Sequence, residues 1–93
     1  NFKHIDLSDD KVDLLLLEGE RETFGFIRNK SASWKNVLRD LNEPIPCQKQ
    51  IEISAKNIEA FPIWKEDTTR ITFNENKLLF DDVMYGTIFK ITN

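Results

Sequence analysis

The chain has one cysteine, one histidine, three glycines, three prolines and no apolar run longer than the four leucines at 14–17. Each scarcity removes a class of protein. The lone Cys47 can close no internal disulfide, so the stapled frameworks of small secreted domains are excluded and a reducing, cytoplasmic setting is expected. One histidine, His4, and one cysteine cannot assemble the usual zinc ligand sets. Gly19, Gly25 and Gly86 stand too far apart to form a glycine-rich phosphate loop. A membrane-spanning helix needs about 20 apolar residues, and no basic-then-apolar leader opens the sequence. The expectation is a soluble chain without metal, cofactor or enzymatic activity.

What is present is an ordinary globular composition: 93 residues, 40% hydrophobic, 31% charged. That size fits a single domain over 1–93 with one core. Ile, Asn and Lys number 10, 8 and 9, a bias we associate with an AT-rich bacterial or phage gene. The net charge of −3 hides an uneven division. Residues 1–22 hold Asp6, Asp9, Asp10, Asp13, Glu18, Glu20 and Glu22 against Lys3, Lys11 and Arg21. Residues 23–39 hold Arg28, Lys30, Lys35 and Arg39 with no acid, interleaved with Phe24, Phe26 and Trp34. Such blocks either steer a charged partner or neutralise each other.

Periodicity divides the chain into elements. Trp34, Val37, Leu38 and Leu41 recur at i, i+3, i+4 and i+7, predicting a helix over 31–42 with a serine cap and Pro44 beyond its end. Trp34 is expected in the core, with Trp34→Ala costing about 3–5 kcal/mol. Residues 11–18 and 23–29 read as a hairpin, and the consecutive leucines predict a first strand covered on both faces. In the second strand Phe24 and Phe26 share one face, expected to point inward, and Thr23, Gly25 and Ile27 the other. Residues 2–7 and 48–54 read as further strands, and 55–61 as a short helix ended by Pro62. Residues 68–74, 77–81 and 83–92 read as a C-terminal meander, with turns at Glu75-Asn76 and Asp81-Asp82. The fold class that follows is α+β: an antiparallel sheet of five to six strands with the 31–42 helix across one face.

The chemistry is sparse. A Cys47, His4 and carboxylate relay has no local signature, and a lone cysteine commonly serves as a small hydrophobe. The run from Asp9 to Glu20 has the length of a calcium loop, but Leu14 stands where its central glycine belongs, so the acids read as a solvated turn. The segment Thr23-Phe24-Gly25-Phe26-Ile27-Arg28 resembles the aromatic strand motif of cold-shock domains and RNA-recognition motifs, in which alternate aromatics stack on bases. It departs from that motif at Glu22-Thr23, where a basic residue and glycine are expected. The resemblance implies a single-stranded nucleic-acid binder using Phe24, Phe26 and the neighbouring bases Arg28, Lys30, Lys35 and Arg39. The reading preferred on charge and size is a non-enzymatic interaction domain of the inhibitor, immunity or adaptor type. Its expected partner-binding residues are Asp9, Asp10, Asp13, Arg28, Lys35, Arg39 and Trp64, the last an aromatic set beside charges.

Overall fold

Period-two alternation governs most of the chain, and the structure follows it. The computed structural model describes residues 2–33, 35–39, 41–62 and 67–92. Among these residues the strands are β1 (Lys3–Asp6), β2 (Val12–Glu18), β3 (Glu22–Asn29), β4 (Cys47–Glu52), β5 (Asn57–Pro62), β6 (Arg70–Asn74), β7 (Lys77–Val83) and β8 (Gly86–Thr92). They form two antiparallel sheets. The larger, sheet I, has the order β1-β2-β3-β8-β5, and sheet II has the order β4-β7-β6.

The core lies between the sheets. Sheet I contributes Val12, Leu14, Leu16, Ile27, Phe89 and Ile91, and sheet II contributes Ile51, Leu78, Phe80 and Val83. Phe80 and Phe89 meet across the layer with ring centroids 4.9 Å apart. Phe89 lies directly opposite Gly25 in the β3–β8 ladder, and a Cβ built on Gly25 would stand 2.1 Å from its ring tip. The glycine is therefore the slot that admits this ring.

The expected α+β architecture is not observed. Where a helix was expected to cover sheet I, sheet II does so, and a sheet face needs only one apolar lid. Within 31–42 the structure has a 3-10 turn at Lys30–Ala32 and a five-residue π-helical turn at Lys35–Arg39. Leu38 and Leu41, expected in the core, are 63% and 82% exposed. Leu41 has a left-handed φ of 55°, which stops helical propagation. Trp34 lies outside the described residues. The short helix expected over 55–61 is instead β5, because pairing along the edge of β8 satisfies its backbone and overrides a weak local preference.

Two turn readings divide. Glu75 and Asn76 both adopt positive φ, 50° and 66°, the two-residue hairpin geometry that matches strand twist. Asp81-Asp82 is not a turn. Between Cys47↔Val83 and Lys49↔Phe80 the partner strand carries one extra residue, so Asp82, with φ 53°, sits in a bulge of β7. Nor is the C-terminus a simple meander: β7 lies in sheet II, while β8 crosses to sheet I and enters between β3 and β5.

Asn29 secures the end of β3. Its Nδ2 donates to the carbonyls of Ile45 (2.7 Å) and Val83 (2.8 Å), and its Oδ1 accepts from the Ser31 amide and hydroxyl (2.9 and 2.8 Å). One buried amide thus joins β3, the loop before β4 and the end of β7, with every side-chain partner filled.

Candidate interaction surface

Parity places half of each strand of sheet I on the side away from sheet II. The registers put Asp6, Leu15, Phe26, Ile88 and Phe61 in one row across β1, β2, β3, β8 and β5. The next row holds His4, Leu17, Phe24, Lys90 and Glu59. Six apolar side chains therefore share one open face, and Phe2 extends it, its ring 6.1 Å from Phe24 in an edge-on arrangement. From β2 to β5 this stripe spans three strand spacings, about 14 Å, and its two rows lie about 7 Å apart. Leu15, Leu17, Ile88 and Phe61 are 38–49% exposed, and Phe24 and Phe26 are half-buried among them. A depression of about 540 Å³ runs through the patch, lined by His4, Asp6, Leu15, Leu17, Phe24 and Phe26 among others.

Two sequence expectations are corrected here. β2 is central in its sheet, but its second face is open, since the single covering layer lies on the Leu14 and Leu16 side. Phe24 and Phe26 face outward, because the inner parity of β3 is taken by Thr23, Gly25, Ile27 and Asn29. The patch escaped sequence reading because consecutive leucines look alike whether one face or two is covered. The signal available was Asp13 and Arg28, charged residues sharing the parity of Leu15 and Phe26.

The charges on this face are already engaged. Arg28 grips Asp13 through Nε and Nη2, at 2.9 and 2.6 Å from one carboxylate oxygen. Lys90 lies 3.7 Å from Glu59 and 4.0 Å from Glu22. The Ser8 hydroxyl and amide hold the Asp6 carboxyl below its ordinary range, so this corner of the patch stays anionic. Four carboxylates (Asp6, Asp13, Glu22, Glu59) thus meet three cations (Arg28, Lys30, Lys90), and the rim is close to charge balance.

The residues expected to contact a partner are brought together only in part. Asp13 and Arg28 form a pair beside the patch, with Lys30 Nζ 3.9 Å from Asp13. Asp9 is a structural staple: its Oδ1 accepts from the amides of Lys11 and Val12, and its Oδ2 accepts from Lys49 of β4 at 2.9 Å. The Lys49 ammonium, with those amides, pulls its carboxyl down to about 2. Asp10 lines a different depression, about 680 Å³, with Lys11, Lys30, Cys47, Gln48 and Asp81. Arg39 is exposed at the end of the π-helical turn, and the backbone of Lys35 opens that turn. Trp64 lies outside the described residues. Between the two charge blocks of the sequence, Asp13 is engaged by Arg28 and Lys30, while Asp9 and Glu22 are met by Lys49 and Lys90 from later strands.

Cys47 packs against the core from sheet II, and burial pushes its thiol pKa up, the opposite of what nucleophile activation needs. His4 stands on the outer side of sheet I, so the two do not form a relay. Among the described residues no helix is long and apolar enough to cross a membrane, and no three His, Cys, Asp or Glu side chains converge as a metal set. No family model, curated protein or solved structure matches this chain.

Proposed function

We propose that this chain is a non-enzymatic interaction domain, of the inhibitor, immunity or adaptor type, that binds a protein partner through the open face of sheet I in a reducing, cytoplasmic setting. The observation that carries the reading is the contiguous stripe of Leu15, Leu17, Phe24, Phe26, Ile88 and Phe61 on one sheet face. Apolar patches of this kind, rimmed by charges, mark association surfaces. The alternating carboxylates and cations of the rim would set the orientation of a partner that brings an apolar ridge.

A second reading has one observation in its favour. Phe24 and Phe26 stand on an open strand face, as base-stacking aromatics do. Against it, Arg28 and Lys90 are held by carboxylates, and phosphate neutralisation supplies most nonspecific nucleic-acid affinity. Anisotropy of labelled oligonucleotides over a salt series separates the two: we expect no binding at low salt, and binding that weakens steeply as salt rises would favour the nucleic-acid reading.

The direct test is a photoreactive residue at Leu17, compared with one at Thr72 on sheet II, in cells that express the chain. A discrete protein adduct from position 17 alone is expected, lost when Leu15→Glu is added. Adducts from neither position, or equally from both, would refute the assignment of this face.

A further inference from the structure

Among the described residues β1 pairs with β2 alone, so its other side is an edge of sheet I. The Leu7 amide donates to the Leu14 carbonyl at 2.8 Å, one step beyond the Asp6↔Leu15 pair. Hydrogen-bonded and open pairs alternate along an antiparallel ladder, so Lys3, Ile5 and Leu7 turn their backbone groups toward β2. The N–H and C=O of His4 and Asp6 therefore point to the free edge, and both side chains are exposed on the outer side of the sheet. Such an edge is a template for another strand, and the parity of its side chains decides which strand fits. About a two-fold axis at Ile5, this residue meets its own copy, and each His4 stands directly opposite the Asp6 of the other chain. A shift of one step either way, the smallest that keeps faces matched, sets His4 opposite His4 or Asp6 opposite Asp6. The other three edge strands offer no such match. β5 and β6 hold one charged residue each, Glu59 and Arg70. In β4, Lys49 and Glu52 fall on opposite faces, so no two-fold register there sets an acid opposite a base.

We infer that two copies of this chain pair edge to edge through β1, antiparallel about a two-fold axis at Ile5, with His4 of each copy opposite Asp6 of the other. His4 and Asp6 exchange both backbone hydrogen bonds on each side of the axis. On the inner side Ile5, half-buried and packed against the core, meets the Ile5 of the other copy at an open pair, where side chains approach more closely. On the outer side two imidazole and carboxylate pairs form. From its own copy His4 faces Leu15 and Leu17 of β2, Phe24 of β3, and Phe2 and Asp6 on its own side of the sheet. Asp6 is the titratable group among them, and the Ser8 amide, 2.9 Å from its Oδ1, favours its charged form. Protonation of His4 therefore adds an attraction on each side of the axis, and the dimer tightens as pH falls through the range in which histidine gains its charge. The pairing goes beyond the docking reading of the open face and leaves that face uncovered.

Sedimentation equilibrium of the full chain tests it, over a concentration series that reaches millimolar because a single short edge makes a small interface. The mass should rise from 10.9 kDa toward twice that value. Between about pH 8 and about pH 5.5, on either side of histidine's usual titration, association should tighten by about tenfold, the scale of two opposite-charge cross-strand pairs. His4→Gln should keep a dimer and lose that pH dependence. His4→Asp sets acid against acid and Asp6→Lys sets base against base, so each variant alone should associate about tenfold more weakly than the parent. Mixed, the two should form a heterodimer tighter than either homodimer, because Asp at position 4 then meets Lys at position 6 and the other pair keeps its native His4 and Asp6. Both side chains are exposed, so matching thermal melts establish that the variants fold. Should Asp6→Lys unfold, His4→Pro replaces the mixing test: it removes only an outward N–H, which an edge strand tolerates, and it should abolish the dimer. A chain monomeric throughout, a pH dependence unchanged by His4→Gln, no heterodimer on mixing, or a dimer indifferent to His4→Pro each overturns the pairing. The docking reading stands apart from those outcomes, since it survives if position 17 still forms its adduct with another protein.

Discussion

Substituting Gly25 by alanine is the sharpest probe of how the two sheets are joined. The added methyl would lie 2.1 Å from Cζ, 2.3 Å from Cε2 and 2.8 Å from Cε1 of Phe89. Carbon atoms rest about 3.5–4.0 Å apart, so the ring must retreat by at least about 1.4 Å. It has nowhere to go: Phe89 is fully buried and already packed on Phe80. Overpacking of this kind typically costs about 1–3 kcal/mol, occasionally more. Relief of glycine's conformational entropy returns about 0.5–1 kcal/mol. Three ring atoms clash at once against a filled layer, so we expect the upper part of the range, a net loss of about 2–3 kcal/mol. At about 4–8 °C per kcal/mol for a domain of this size, the melting temperature should fall by roughly 8–24 °C. Thermal and urea melts of Gly25→Ala measure the loss. Phe89→Leu added to that background should recover part of it, giving a coupling energy of about 1–2 kcal/mol between contacting sites. A melt unchanged by Gly25→Ala, or a double variant whose loss is the simple sum, would show that the ring does not occupy the slot.

Three further outcomes are expected. Asn29→Ala breaks four side-chain hydrogen bonds and should cost about 2–4 kcal/mol in urea denaturation, from the usual net value per bond plus unpaired buried carbonyls. Replacing Glu75-Asn76 by Asn-Gly, the pair suited to two successive positive φ angles, should stabilise by about 0.5–1 kcal/mol, and a loss on melting would refute the hairpin register. Asp9 has a folded pKa of about 2 against an ordinary 3.8. Its contribution is therefore fully present above pH 4 and is lost as pH falls from about 4 toward 2. Lys49→Met should flatten that acid limb in a pH series of melts, at a cost near neutral pH of no more than about 1 kcal/mol, the scale of an exposed ion pair.

Strands were legible where alternation reflects one covered face, as in β4, where Ile51 is buried between exposed Gln50 and Glu52. The hairpin at Glu75-Asn76 was legible because asparagine tolerates the left-handed region. The helix over 31–42 was not what formed, because amphipathic spacing states only that a face could be buried and not that a surface is vacant to receive it. Sheet II took that place through contacts between Phe80 and Phe89, distant in sequence and invisible to a local window. The same nonlocality hid the open face: nothing in residues 14–17 says that one layer covers β2 and none covers its other side. Of the expected contact residues, Asp9 and Asp13 were read as solvent-facing, yet the cations that engage them, Lys49 and Arg28, come from other strands and meet them only after folding.

The order of strands in sheet I sets a condition on biosynthesis. β3 emerges early, but its second neighbour is β8, with Thr23 pairing Ile91 across more than sixty residues. Until Thr92 has left the ribosome, β1–β3 can form only a three-stranded ribbon whose β3 edge stays unpaired, and until β7 has emerged its buried positions, Leu14 and Ile27 among them, lack their lid. Such an intermediate pays loop-closure entropy before its long-range contacts form, and it exposes an edge able to recruit other nascent chains. Folding of this protein should therefore depend on translation rate and chaperone supply more than its modest length implies.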